Sequence, residues 1–288
     1  MKRAKQIVGF FLALVMLMGL FPVASIAAGD FVAYPVYGGN IYFDPATGTI
    51  VSADSEVLSA YIPSEINGVA VKTIGSHAFF ESELVIVELA DGITTIGESA
   101  FECCESLVSV TLPTTLTNIE PCAFSYCTEL TEIEIPCGVT VLKEGAFESC
   151  ISLSSITLPN TLQEIGYWAF ADCVSLKSIT LPASVSSIGM FAFHADRPIQ
   201  IQVAPNSPYL CVENGALFDA AKRTLYYVPN RSVVSYTVPD GVTTIADGVF
   251  TESSISEIIL PDTVEVIGHK AFAGCENLKT WICRRLCV

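Results

Sequence analysis

The chain has 288 residues, 51% of them hydrophobic and 15% charged, which excludes a disordered polymer and suits one elongated array or two globular units. Acidic residues outnumber basic ones 30 to 14, for a formal charge of −16. A surface of that sign repels nucleic acid and anionic lipid, so neither is expected as a partner.

The first predicted element is a targeting signal over residues 1–27. Lys2, Arg3 and Lys5 form a positive start, Ile7 to Phe21 is almost unbroken apolar sequence, and Pro22 is followed by the small residues Ala24, Ser25, Ala27 and Ala28. That order is the pattern of a secretory signal peptide cleaved so that the mature chain begins near Ala28. Removing three basic residues and no acidic one gives a mature charge of −16 − 3 = −19. The expected location is therefore secreted or at the cell surface, with no anchor encoded downstream and no membrane insertion after cleavage.

Residues 28–71 come next, with the turn motif Tyr42-Phe-Asp-Pro-Ala-Thr-Gly-Thr-Ile50, and are expected to cap the apolar end of a downstream array. From residue 72 the chain is periodic. A phenylalanine recurs at Phe79, Phe101, Phe124, Phe147, Phe170, Phe193, Phe250 and Phe272, in steps of 22, 23, 23, 23, 23, 57 and 22 residues. The regular units span 72–193 and 238–288. Between them, residues 194–237 carry Asn206-Ser-Pro-Tyr209, Asn214-Gly-Ala-Leu-Phe218 and Thr224-Leu-Tyr-Tyr-Val-Pro229, which read as a β-hairpin inserted in the array. The end, Leu278-Lys-Thr-Trp281-Ile-Cys283, starts a strand with no polar cap behind it. Either a truncated longer protein or self-association through this uncapped coil is expected.

The spacing within one unit explains its shape. Leu153-Ser-Ser-Ile156-Thr-Leu158-Pro159 alternates as a short half-buried strand does, and the proline ends it. The following Ile-Gly-x-x-Ala-Phe-x-x-Cys stretch changes to the spacing of a helix or turn, with Gly97, Gly166, Gly189 and Gly268 at the corner. One coil cannot bury its own apolar face, whereas stacked coils can, through parallel strands ~4.8 Å apart. The fold class expected is an α/β-type repeat solenoid, mostly strand and turn, with a parallel ladder on its concave face, short helical corners and one hairpin insertion.

The pattern Ile-Gly-x-x-Ala-Phe-x-x-Cys-x-x-Leu-x-x-Ile-x-Leu-Pro resembles the BspA-type leucine-rich repeat of bacterial surface proteins, from about Ile41 to the end of the chain. Departures are local. Glu120 and Lys143 replace the corner glycine, Val249 replaces the alanine before Phe250, and Ser82, Asp196 and Ser253 replace the repeat cysteine. The resemblance implies a protein-binding solenoid, in particular an adhesin contacting host matrix proteins or neighbouring bacteria.

Eleven cysteines in a secreted chain first suggest disulfides. Cys104, Cys127, Cys150, Cys173 and Cys275, however, share one repeat position. Their side chains should run parallel at the coil rise, which suits a disulfide poorly. They are read as small buried hydrophobes with weakly hydrogen-bonding sulfurs. Pairing among Cys103, Cys122, Cys137, Cys211, Cys283 and Cys287 stays open. Spacings such as Cys122-x4-Cys127 and Cys283-x3-Cys287 lack a nearby histidine pair, so no metal and no cofactor are expected. His77, His194 and His269 sit at corners or at the insertion, and phosphate-cradling glycine loops are absent. No catalytic residue is assigned and the chain is not expected to be an enzyme.

The period also assigns the outward face of the strands: Glu88, Ser109, Thr111, Glu132, Glu134, Ser155, Thr157, Ser178, Thr180 and Glu257, with Ile86 and Ile259 in the same columns. These are the candidate partner-binding residues on the concave sheet, facing extracellular host or bacterial proteins. The expected function is protein recognition or adhesion; the alternative is a structural segment of a larger envelope protein.

Overall fold

The computed structural model describes residues 31–195, 197–229 and 234–284. The predicted signal, the Asp196 exchange, the glycosylation-type triplet Asn230-Arg-Ser232 and Cys287 lie outside the described residues.

Each coil contributes two strands to two ladders. The longer strands Ser59–Ile62, Ile86–Leu89 and Ser109–Thr111 pair in parallel, as do Glu132–Glu134 with Ser155–Thr157 and Ser178–Leu181 with Gln200–Val203. The shorter strands Thr73–Ile74, Thr95–Ile96, Asn118–Ile119, Val141–Leu142, Glu164–Ile165 and Ser187–Ile188 form the second parallel ladder. Proline turns the chain between them: the carbonyls of Pro113, Pro136, Pro159 and Pro182 accept the N–H three residues on. Alternation then buries Ile133, Ile179 and Leu181 while their neighbours face out.

The corner after the short strand is not helical, and this corrects the expectation of short helical corners. No described residue is in a helix. Two residues per corner adopt a left-handed backbone, one two before the phenylalanine and one two after it: Ser99 and Cys103, Cys122 and Tyr126, Trp168 and Asp172. This aims successive N–H groups in alternate directions. The amides of Trp168, Phe170 and Asp172 donate to Met190, Ala192 and His194 of the next coil, whereas those of Ala169, Ala171 and Cys173 close three-residue turns within the coil. A helix would spend all these donors inside one coil; the alternation stitches coils together.

The phenylalanine rings stack along the core, with centroids 5.1 to 5.8 Å apart from Phe79 to Phe193. The corner glycine is demanded by proximity. A Cβ on Gly189 would lie 2.4 Å from the Tyr167 nitrogen, and one on Gly97 2.6 Å from that of Ser76. Where the glycine is lost in two successive coils, Lys143 and Glu120 pair with each other at 2.6 Å.

The first three strands, Val32–Val36, Gly39–Asp44 and Thr49–Ala53, form an antiparallel meander whose last strand starts the short-strand ladder through Thr49 and Ile50. The same device recurs inside the chain. Leu210–Glu213, Ala216–Asp219 and Thr224–Tyr227 form a second antiparallel meander, and Thr224 and Leu225 start a second short-strand ladder with Thr244–Ile245 and Val266–Ile267. The expected hairpin thus has a third strand. Its turn carries Phe218-Asp219 and Thr224 where the first has Phe43-Asp44 and Thr49. Each aspartate holds its turn: Asp44 accepts from the Ala46 amide at 2.9 Å and Asp219 from the Arg223 amide at 2.6 Å. Long strands resume at Ser235–Thr237, Glu257–Pro261 and Thr280–Arg284.

The core divides at the same place. Leu210 and Leu217 of the inner meander belong to a core running back to Val32, while Ala216, Phe218 and Leu225 belong to a second core reaching Ala271. Alternation along one strand sends Leu217 to one side and Ala216 and Phe218 to the other.

Candidate interaction face

The long-strand ladder sets the residues expected to meet a partner into register. Ser109 lies beside Ile86 and Thr111 beside Glu88. Glu132 pairs with Ser155 and Glu134 with Thr157, while Ser178 and Thr180 stand beside Gln200 and Gln202. These side chains are exposed from Thr111 to Thr180, and Glu88 and Ser109 are half-buried. Glu257 lies beyond the inner meander, between Ser235 and Thr280, and accepts a hydrogen bond from the Ser235 hydroxyl at 2.9 Å.

Other members of the two columns escaped the sequence reading: Tyr61 at the start, Gln200 and Gln202 at the end of the first array, and Ser235, Thr237 and Thr280 in the second. Their signal was available. Ser59-Ala-Tyr-Ile-Pro63 and Ser235-Tyr-Thr-Val-Pro239 both carry the apolar-proline ending that marks a long strand elsewhere. Across its columns the face offers hydroxyls, amides and carboxylates, a surface suited to hydrogen bonding and to positive charge.

The shared cysteines do something other than reactive chemistry. The thiols of Cys127, Cys150 and Cys173 donate to the carbonyls of Phe101, Phe124 and Phe147, each at 3.1 Å, and Cys104 donates to Phe79 at 3.0 Å. Cys275 repeats the contact with Phe250 at 2.9 Å. Burial pushes the Cys104 thiol up to about 11 and Cys150 to about 12, and drives Cys127 and Cys173 well above the usual thiol range. Off this column, burial with neighbouring carboxylates raises Cys122 to about 11. Such thiols hold their protons at neutral pH and are poor nucleophiles.

His77 and His269 are exposed at corners, and the His194 imidazole lies 3.3 Å from the Glu252 carboxylate. No group of three histidine, cysteine or acidic side chains among the described residues is arranged to hold a metal ion. The tyrosines of the insertion divide: Tyr209 is exposed, Tyr227 sets its ring against Phe193, and Tyr236 packs edge-on to Phe250.

The coil repeat itself matches a family model, the BspA type leucine rich repeat region, in six copies over residues 62–173, 128–209 and 225–285. The chain belongs to that family. Solved bacterial proteins, several of them leucine-rich repeat proteins, share its fold. A leucine rich cell surface protein of Faecalibacterium prausnitzii is 26% identical, with a TM-score of 0.60 over 89% of this chain and 77% of that one. The pneumococcal vaccine antigen PcpA is 22% identical, with a TM-score of 0.69 over 91% and 71%. A leucine-rich repeat protein of Bacteroides ovatus is 21% identical, with a TM-score of 0.55 over 91% and 77%. No curated protein matches the chain. Membership in this repeat family indicates a role in protein–protein interaction.

Proposed function

We propose that the protein is exported and works as a recognition or adhesion module, binding extracellular proteins of a host or of other bacteria through its long-strand face. The observation that carries this reading is the set of outward polar residues on successive paired long strands, Glu88 beside Thr111, Glu132 and Glu134 beside Ser155 and Thr157, and Ser178 and Thr180 beside Gln200 and Gln202, presented by a solenoid of a protein-binding family. Extended arrays use such faces to spread contact over many residues. The similar F. prausnitzii protein is a cell surface protein, which agrees with export directed by residues 1–27. No helix of the described residues is long and apolar enough to cross a membrane. The last described coil exposes Val266, Ile267, Trp281 and Ile282, and self-association would use this end.

The test is surface plasmon resonance of the mature chain against extracellular-matrix and bacterial surface proteins. Glu132→Lys with Glu134→Lys should weaken binding at least tenfold, because both carboxylates sit in the centre of the face. Binding untouched by that pair, and by Thr157→Arg beside it, would overturn the assignment. A chain that binds nothing but fractionates tightly with the envelope supports the structural alternative.

A further inference from the structure

Within the first array, each coil is tied to the next by main-chain hydrogen bonds at the corner and along the short-strand ladder, whereas the long strands pair only in groups: Ser59–Ile62 to Ser109–Thr111, Glu132–Glu134 with Ser155–Thr157, and Ser178–Leu181 with Gln200–Val203. Between the Phe147 and Phe170 coils, for example, the amides of Gly145, Phe147 and Ser149 reach Tyr167, Ala169 and Ala171, and those of Gln163 and Gly166 reach back to Thr140 and Leu142. At the inner meander all of these connections stop at one level. Among the described residues, no main-chain hydrogen bond or strand pairing joins any residue up to 205 to any residue from 206 onward. The short-strand ladder, unbroken through the first array, ends at Ser187–Ile188 and restarts from the meander, and the last long-strand pair of the first array, Ser178–Leu181 with Gln200–Val203, has no pairing to Ser235–Thr237. The corner follows suit. The amides of Phe191 and Phe193, whose counterparts in every earlier coil bond forward, have no main-chain acceptor among the described residues.

What crosses this level is carried by side chains. The Tyr227 hydroxyl accepts from the Ile199 amide at 2.9 Å and donates to its carbonyl at 3.1 Å. The Phe191 ring lies against Gly248, where a Cβ would meet it at 2.2 Å. His194 approaches Glu252, and the Ser207 hydroxyl reaches the Ala183 carbonyl at 3.4 Å. Leu210 and Leu217 belong to the first core, Tyr226 and Tyr227 pack against it, and the Tyr227 ring meets Phe193 edge-on. A shallow open cleft runs along the seam, lined by Phe191, His194, Tyr226, Tyr227, Asp247 and Gly248.

Main-chain ladders fix orientation because each bond is directional, whereas apolar contact is not. Two bodies that meet through side chains behave as packed domains, for which relative motion is the default. We propose that the protein is a two-body solenoid, hinged at the plane between residues 205 and 206, so that the two halves of its long-strand face can set independently. The inner meander is a second starting cap rather than a decoration of one array. Ser59 to Gln202 and Ser235 to Ile282 then form two separately orientable surfaces, and a partner spanning both selects the angle between them. The hinge does not rest on the identity of any partner and is tested on the free chain.

Residual dipolar couplings of the mature full-length chain, partially aligned, measure the orientation of each half. The expected result is two alignment tensors, one for residues 31–205 and one for 206–284, differing in magnitude because the halves move relative to each other. One tensor fitting both halves overturns the proposal. Tyr227→Phe keeps the ring against Phe193 but removes the ties to Ile199. It should widen the difference between tensors while leaving couplings within each half unchanged. No change in that variant, together with a single tensor in the parent, shows a rigid array.

Discussion

The first array and the second are built from the same coil, yet they hold it under different conditions. In the first, Phe147 is fully buried between Phe124 and Phe170, at 5.5 and 5.8 Å, and four cysteine thiols line the core behind the rings. In the second, Phe250 and Phe272 stack on each other at 5.0 Å, Phe272 is half-buried, and Cys275 is half-buried too. Stability in a solenoid is close to a sum over coils and their neighbour interfaces. The long array therefore owes its stability to coils with two neighbours, and the short one consists mostly of ends. Identical sequence signals can thus have unequal energetic weight, decided by how many neighbours a coil has.

Alkali should separate the two arrays most widely. The thiol pKa values are raised in the folded state, so the buried thiols stabilise the fold below pH 9 and this contribution is lost as pH climbs toward their folded values of about 11 and 12. In that window the unfolded chain has released protons that the folded chain retains, and stability falls by about 1.4 kcal/mol per pH unit for each thiol. Urea midpoints for the first array should drop steeply above pH 9; a flat profile to pH 11 would contradict burial of the column.

The ring stack offers the next largest effect. Phe147→Ala should cost about 3–5 kcal/mol in urea unfolding, as for a fully buried aromatic. Phe272→Ala should cost less than half of that, because its ring keeps one stacked neighbour and partial exposure. Equal losses would erase the distinction between interior and terminal coils. A smaller effect probes the corner backbone. Ser149 sits at φ 56°, and Ser149→Val forces a branched side chain into the left-handed region at roughly 1–2 kcal/mol, while Ser149→Gly should be nearly neutral. A tolerated valine would mean that the corner can relax.

The coil was legible in the sequence because burial imposes identity: phenylalanine, cysteine, leucine and the apolar-proline ending recur at fixed places. The corner was not. Its left-handed positions before the phenylalanine hold His77, Ser99, Cys122, Gly145, Trp168, Phe191, Gly248 and Lys270, a set with no common chemistry. An alanine-phenylalanine pair followed three residues later by cysteine suits a helical turn as well as two linked tight turns, and only the inter-coil donors decide between them. The inner meander was half legible. Asn214-Gly-Ala-Leu-Phe218 and Thr224-Leu-Tyr-Tyr-Val-Pro229 marked a hairpin, but Leu210–Glu213, which follows the turn residues Asn206-Ser-Pro-Tyr209, was not read as a strand. Where the 23-residue step held, the strand positions named from the sequence fall in register with one another, whereas Gln200 and Ser235, beside the meander that interrupts the step, were not named.

Main-chain hydrogen bonds run from coil to coil within each array, and among the described residues none joins one array to the other. Amide hydrogen exchange of the mature chain, read residue by residue, measures that directly. The amides of Phe147 and Phe170, each bonded to the next coil, should be among the slowest to exchange. Those of Phe191 and Phe193, at the same repeat positions beside the seam, should exchange orders of magnitude faster. Equal and strong protection at all four would place a main-chain bond across the seam and contradict the two-array description.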